Sequence, residues 1–226
     1  SENYREREFN NYLQLDYPLL PKLYGIYTYE DKYYLKIQYI NGETLEYLKE
    51  LKLTFDDKIF IIFQLILIII YFYMKKLVYR DLKPSNIIID KNKTVFVIDF
   101  DRMISEEINI LNEQQHTKDF VHDYVAPEVY DGEITHKNDI YSLGKMICFI
   151  LKADSLKYEY FNTFIDKDPN KRPTISQILC EICSIFPSYI NKLPIKYTHE
   201  IQFNKDNNVL QKNNKSIHYL TLSANQ

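Results

Sequence analysis

The chain has 226 residues, of which 46% are hydrophobic and 26% charged, enough apolar material for one substantial folded core. Its net charge of -3 gives no basic excess, which disfavours nucleic acid and anionic membrane surfaces as partners. Three cysteines are too few for a disulfide framework, and residues 1–10 carry no secretory signal, so we expect a cytoplasmic protein.

The first forty residues predict one helix followed by a hairpin. Apolar residues recur at helical spacing in residues 4–15, and two prolines then stop the helix. The β-rich segments 23–29 and 33–39 flank a short polar stretch, as in a β-hairpin. Asn41-Gly42 marks a turn, after which the pattern becomes mainly helical. We therefore predict a small lobe at 1–40 and a larger lobe at 41–186.

A long apolar segment, residues 59–74, is interrupted only by Gln64 and could be mistaken for a membrane span. It is slightly short for one, because a span needs about 18–20 apolar residues. Thr54 followed by Asp57 has the pattern of a helix cap with an acidic residue three positions on. The segment therefore predicts a buried core helix, and we expect no membrane partner.

Two strand-like segments, 87–89 and 95–98, are joined by a polar loop of hairpin length. A hairpin brings its two open ends together, so Asn86 before the first strand and Asp99 after the second should meet. An amide oxygen and a carboxylate are ligands that a hard divalent cation prefers.

Further helices are predicted at 139–151 and 174–185, the second with Thr174 as its cap. Cys180 and Cys183 lie in the second of these, where we favour an ordinary helical face over a zinc or redox site. Residues 187–226 begin as a polar linker and end in a short segment of helical period.

Residues 79–86 read Tyr-Arg-Asp-Leu-Lys-Pro-Ser-Asn, a spacing that suits phosphoryl transfer. Asp81 can orient a hydroxyl group and accept its proton, and Lys83 can offset charge on the transferred phosphoryl group. Asn86 with Asp99 can hold magnesium.

This loop resembles the catalytic loop of the eukaryotic protein kinase family, serine/threonine type, and Asp99-Phe100 resembles the magnesium-binding dipeptide that follows it. Later landmarks recur in order: Ala-Pro-Glu at 126–128, Asp-Ile-Tyr-Ser-Leu-Gly at 139–144 and Asp-Pro-Asn-Lys-Arg-Pro at 168–173. The resemblance implies an α+β, two-lobed fold, the cofactors ATP and Mg²⁺, and transfer of the γ-phosphoryl group to serine or threonine of a protein substrate.

The resemblance also implies roles for residues outside the loop. Glu128 would form an internal ion pair with Arg172, and Asp139 would cap the backbone of the catalytic loop. Four side chains would stack into a column that links the lobes: Tyr12, Leu23, Tyr79 and Phe100.

On the ATP side, the resemblance implies that Glu8 pairs with an ATP-orienting lysine. Gln38 and Ile40 would lie in the hinge that binds adenine through backbone groups. The activation segment of the family corresponds to residues 99–128 and carries Ser105 and Thr117. Arg80, beside Asp81, could pair with a phosphate on either of them, and we favour Thr117.

Several departures bear on activity. Only seven residues precede Glu8, so the glycine-rich loop and lysine strand of the family are missing, and the chain as given should have little activity. We prefer a fragment of a longer protein, with a natural inactive variant as the alternative. Asp101 replaces a glycine that would tolerate positive φ, Val121 replaces a threonine, and residues 152–160 are too few for the usual helix.

The rival function is a pseudokinase or scaffold that only binds partners. Retention of the loop residues with Asp99 argues against it, whereas the missing strands argue for it. Residues 215–226 resemble a helix of a tetratricopeptide-like repeat, which would add protein partners, although an ordinary amphipathic helix fits the same residues.

Overall fold

The computed structural model describes residues 2–30, 32–47, 51–106, 123–151 and 159–185. The chain divides into two compact units, Ser1–Arg172 and Pro173–Gln226. Among the described residues the helices are α1 (Glu2–Gln14), α2 (Phe55–Met74), α3 (His136–Leu151) and α4 (Ile175–Ile185). The strands are β1 (Leu23–Tyr29), β2 (Lys32–Ile37), β3 (Gly42–Thr44), β4 (Leu77–Val78), β5 (Ile87–Asp90), β6 (Val95–Val97) and β7 (Ile104–Ser105). The mixture of helix and sheet confirms the predicted α+β class.

The predicted N-terminal helix and hairpin are both present. Strands β1 and β2 pair antiparallel, with Ile26 opposite Leu35 and Tyr27 opposite Tyr34. The register shifts next to Gly25, which marks an irregularity in β1. Most side chains of this hairpin are exposed.

The mainly helical pattern expected after Asn41-Gly42 is interrupted at once by β3, which the sequence analysis missed. β3 pairs antiparallel with β5, placing Gly42 opposite Asp90 and Thr44 opposite Ile88. A Cβ atom at Gly42 would overlap the carbonyl oxygen of Ile89, so this close strand approach requires glycine. A strand of three residues is too short to produce a period in the sequence.

Helix α2 is the buried core helix that the sequence predicts. Every residue from 61 to 72 is buried, and the predicted cap is reciprocal: Asp57 N–H donates to Thr54 Oγ1 (3.1 Å) and Thr54 N–H donates to Asp57 Oδ2 (2.9 Å). By length and composition alone α2 could cross a membrane, but 72% of its most apolar stretch is buried inside the protein.

Gln64, the polar interruption in α2, is buried and hydrogen-bonded. Its Nε2 donates to the carbonyls of Phe60 (3.2 Å) and Lys93 (2.8 Å), and its Oε1 accepts from Val95 N–H (3.0 Å). Because buried amides need partners, these bonds fix α2 against the β5–β6 hairpin.

A small sheet formed by β4 and β7 was not predicted. Leu77 pairs with Ser105 and Val78 with Ile104, and Glu106 N–H extends the ladder to the Lys76 carbonyl (2.9 Å). The sheet ties the chain before the catalytic loop to the chain after Asp99.

Helix α3 begins at His136, three residues before the predicted start at 139. It packs against α2 and against a 3₁₀ segment, Glu159–Ile165.

In the second unit, α4 follows the predicted cap: Gln177 N–H donates to Thr174 Oγ1 (3.2 Å) and Thr174 N–H donates to Gln177 Oε1 (2.8 Å). Cys180 and Cys183 lie on this helix, as predicted.

Candidate active site

The open ends of the β5–β6 hairpin meet as predicted. Ile87 pairs with Val97, and Ile98 N–H donates to the Asn86 carbonyl at 3.0 Å. Asp99 is the next residue and has φ 68°, a left-handed backbone that non-glycine residues rarely adopt. The hairpin therefore places Asn86 and Asp99 at adjoining strand ends.

Asp81 lies at the centre of the catalytic loop and is 1% exposed. Asn86 Nδ2 donates to Asp81 Oδ2 (2.8 Å) and to its carbonyl (3.0 Å). Lys83 Nζ lies 2.8 Å from the same Oδ2, with its side chain 27% exposed. The structure therefore brings three of the predicted site residues into one hydrogen-bonded cluster.

Arg102 is a further charged residue at this cluster that the sequence analysis missed. Its Nη1 lies 3.7 Å from Asp81 Oδ1, whereas Lys83 contacts the other carboxylate oxygen, Oδ2. Nothing in the local sequence indicates this contact, because it depends on how the chain turns after Asp99.

Asp139 caps the loop backbone, as the resemblance implies. Its two carboxylate oxygens accept from Tyr79 N–H (2.7 Å) and Arg80 N–H (2.9 Å). Complete burial raises the pKa of Asp139 to about 6, although the two N–H donors act in the opposite direction. Arg80 has φ 71°, so one of the two residues whose N–H groups Asp139 binds has a left-handed backbone, as Asp99 does.

Aromatic rings join α1, α2 and the loop. Phe100 contacts Tyr12 (centroids 4.8 Å apart) and Tyr79 (5.9 Å), as expected for the column, and Phe72 joins them at 5.5 Å from Tyr79. Tyr79 Oη donates to the Ile98 carbonyl at 2.6 Å, and burial raises its pKa well above the ordinary value. Leu23, the fourth predicted member, is half-buried at the start of β1, and its place in the column stays a prediction.

Glu8 and Asp101 both lie near Asp99. Burial raises the pKa of Glu8, and the charges of Asp99 and Asp101 raise it further. Burial, followed by the charge of Asp99, raises the pKa of Asp101 to about 6. Asp99 has a positive φ, in the left-handed region, whereas Asp101 does not. Asp101 in place of glycine therefore brings no left-handed strain here and acts through its charge.

The oxygen atoms around Asp99 fit a hard divalent cation such as Mg²⁺. Asn86 and Asp99 supply an amide oxygen and a carboxylate at the hairpin end. Beside them, Asp101 Oδ1 is buried with no hydrogen-bond partner among the described residues. A cation would compensate such an oxygen, and Mg²⁺ prefers this all-oxygen donor set.

The predicted hinge residues follow β2. Gln38 N–H donates to the Lys22 carbonyl (2.8 Å), and Gln38 Oε1 accepts from Lys22 N–H (3.3 Å). Ile40 is buried. These bonds join the chain after β2 to the chain before β1, and adenine binding by Gln38 and Ile40 stays a prediction.

Glu128 and Arg172 form the ion pair that the resemblance implies. The contact is bidentate, with Arg172 Nη1 2.6 Å from Oε1 and Nη2 2.7 Å from Oε2. Asn138 Nδ2 also donates to Oε1 at 2.6 Å, a contact that was not predicted. Arg172 Nε donates to the Asp166 carbonyl (2.8 Å), so the pair links three chain segments.

The predicted phosphorylation switch remains a prediction. Ser105 lies in β7, and Arg80 is buried with Nη1 3.5 Å from the Arg102 carbonyl. Thr117 and Val121 lie outside the described residues, as do residues 152–158.

Comparison with known proteins matches residues 1–160 to the model of the protein kinase domain. The chain is 30% identical over 159 residues to the SNF1-like protein kinase ssp2 of Schizosaccharomyces pombe, covering 68% of this chain and 27% of that protein. It is 29% identical over 189 residues to an Aurora kinase of Eremothecium gossypii, covering 82% and 48%. It is 30% identical over 148 residues to the serine/threonine-protein kinase PrkC of Bacillus subtilis, covering 64% and 23%. The chain thus spans less than half the length of each of these relatives.

Proposed function

This chain belongs to the protein kinase domain family, and on that premise we propose that it transfers the γ-phosphoryl group of ATP to serine or threonine hydroxyls of a protein substrate. The observation that carries the proposal is the cluster of Asp81, Lys83 and Asn86 beside the strand end that bears Asp99. The name of the Bacillus subtilis relative, a serine/threonine-protein kinase, supports the serine/threonine type.

The residues of the cluster divide the chemistry between them. Asp81 is held by Asn86 and Lys83 in one orientation, from which it would accept a hydrogen bond and then the proton of the incoming hydroxyl. Lys83 would offset negative charge on the transferred phosphoryl group. Asn86 and Asp99 would hold Mg²⁺, and the bound nucleotide would supply the phosphoryl group.

We test this proposal with Asp81→Asn in the complete protein. The amide keeps the shape of the side chain but cannot accept a proton, so kcat should fall by about 10²–10⁴-fold while KM for ATP stays within about twofold. Phosphate transfer to a mixed protein substrate would be measured with Mg²⁺ and ATP. Asp131→Asn, the same change at an exposed position, is the matched control and should keep wild-type kcat.

Nucleotide binding separates this proposal from the scaffold alternative. Asp99→Ala should abolish Mg²⁺-dependent ATP binding in calorimetry, whereas Asp81→Asn should retain it. Negligible ATP binding by both wild type and Asp99→Ala, with equal activity in wild type and Asp81→Asn, would leave only a scaffold.

The wider context of the chain also stays a prediction. Low cysteine content supports a cytoplasmic location, and the helical period of residues 215–226, outside the described residues, supports a contact with protein partners. Absence of nucleic acid and membrane partners rests on the net charge and on the burial of α2.

A further inference from the structure

Asn11 places an amide side chain inside the protein, on the face of α1 that contacts the site. It is 5% exposed, and its Nδ2 donates to the carbonyls of Phe100 (2.6 Å) and Met103 (3.0 Å). Gln14 Nε2 donates to Asn11 Oδ1 at 3.2 Å. Because the two carbonyls can only accept hydrogen bonds, the NH₂ group of Asn11 must face them, which leaves Oδ1 to accept from Gln14.

The two carbonyls belong to the first and last residues of one turn. Met103 N–H donates to the Phe100 carbonyl at 3.3 Å, which closes the turn from Phe100 to Met103. Asn11 therefore binds both ends of the turn. The turn begins directly after Asp99, so fixing it restricts the left-handed backbone on which the Asp99 carboxylate is carried.

The same turn also sets the position of other site residues. It carries Arg102 to within 3.7 Å of Asp81 and places the Phe100 ring against Tyr12. On α1, Glu8 lies three residues before Asn11 and hence on the same helix face. The hydrogen bonds of Asn11 therefore connect the helix that carries Glu8 to the chain segment that carries Asp99.

We propose that Asn11 is a positioning residue for phosphoryl transfer, whose amide clamps the turn after Asp99 to helix α1 and so fixes Asp99 relative to Asp81. The proposal rests on the proposed function. An NH₂ group suits this role because it can donate to two carbonyls at once, which neither an aliphatic side chain nor a carboxylate can do.

The test compares Asn11→Leu and Asn11→Asp with wild type in the complete protein. Leucine has a similar size but leaves both buried carbonyls without the amide donor, so kcat should fall about tenfold or more and the Mg²⁺ concentration for half-maximal activity should rise. Leu13→Ala, at an exposed position of the same helix, is the matched control and should keep both values.

Asn11→Asp provides a readout that loss of packing alone would not give. At pH 8 the carboxylate faces two carbonyls and should impair kcat as much as leucine does. Burial raises the pKa of such a carboxyl, so near pH 6 the protonated form can donate one hydrogen bond. The ratio of its kcat to that of wild type should therefore rise several-fold from pH 8 to pH 6, while the ratio for Asn11→Leu stays flat.

Amide hydrogen exchange measures whether Asn11 restrains the turn after Asp99, and it does not depend on enzymatic activity. Amides of the 99–103 segment should exchange about tenfold faster in Asn11→Leu than in wild type or Leu13→Ala, with amides of α2 unchanged. Unchanged exchange in this segment would overturn the clamp, and faster exchange with wild-type kcat would overturn the positioning role. An inactive wild-type protein would contradict the proposed function, and exchange would still decide whether the clamp exists.

Discussion

Glu128 and Arg172 show how much one buried charge depends on its partner. The Arg172 side chain is 0% exposed, and its guanidinium group meets both oxygens of Glu128. A buried pair of this kind contributes modestly as a whole, because both charges lose their hydration. Loss of one partner is far more damaging than absence of both.

We therefore predict that Glu128→Gln lowers the free energy of unfolding by about 3–5 kcal/mol, because the Arg172 charge then stays buried without a counter-charge. Urea unfolding of the complete protein would measure this. Glu133→Gln, an exposed change of the same kind, should have almost no effect. A loss below about 1 kcal/mol for Glu128→Gln would mean that the backbone carbonyls of Asp166 and Lys137 hold Arg172 without the carboxylate.

Asp139 should make stability depend on pH in an unusual direction for a carboxylate. Its pKa in the folded protein is about 6, above the ordinary value of 3.8, so between these values the folded state retains a proton that the unfolded state has lost. This contribution to stability is therefore fully present below about pH 4 and is lost as the pH rises through about 6. The loss is as much as about 3 kcal/mol.

The measurement is the free energy of unfolding of wild type and Asp139→Asn from pH 4 to pH 7. Because asparagine does not titrate, the difference between the two curves should show the fall that belongs to Asp139. A difference that stays constant over this range would show that the two N–H donors fully offset burial.

At the scale of single elements, helix α2 has two features. A capping pair marks its first turn, and its apolar side chains stabilise it only when they are buried in the core. The reciprocal bonds of Thr54 and Asp57 satisfy N–H groups that would otherwise lack partners at the first turn. Burial of residues 61–72 then stabilises the helix far more than its cap does.

Thr54→Ala should therefore lower the free energy of unfolding by only about 1 kcal/mol. Because Thr54 Oγ1 also donates directly to Asp57 Oδ2 (2.8 Å), Asp57→Ala combined with Thr54→Ala should cost less than the sum of the two single changes. Thermal unfolding of the two single variants and the double variant tests this. Strict additivity would show that the bond between the two side chains contributes nothing to stability.

Across the first unit, the close approach of α3 to the 3₁₀ segment Glu159–Ile165 depends on Gly144. A Cβ atom there would lie 2.6 Å from Phe164 Cβ and 2.7 Å from Ile165 Cγ2, both closer than real contacts allow. Phe164 is fully buried, so it has little room to move.

Gly144→Ala should lower the free energy of unfolding by about 1–3 kcal/mol through overpacking, even though alanine favours a helix over glycine by about 1 kcal/mol. Chemical denaturation of the complete protein measures the net effect. An alanine variant as stable as wild type would show that the 3₁₀ segment shifts without strain.

The amino-acid sequence determined the features that depend on neighbours along the chain. The apolar segment with its cap predicts α2, and two strand-like segments joined by a short polar loop predict the β5–β6 hairpin. The spacing of Asp81, Lys83 and Asn86 predicts the loop chemistry. Each involves residues a few positions apart, where helix and hairpin geometry alone sets the distance.

Tertiary structure alone decided the contacts between distant segments. The pairing of β3 with β5 and of β4 with β7 involves strands of two to four residues, too short to leave a period in the sequence. Arg102 beside Asp81 and the clamp of Asn11 on Phe100 join residues whose separation along the chain has no local signature. Such contacts arise from the packing of whole elements, because only packing brings distant polar groups within hydrogen-bond distance.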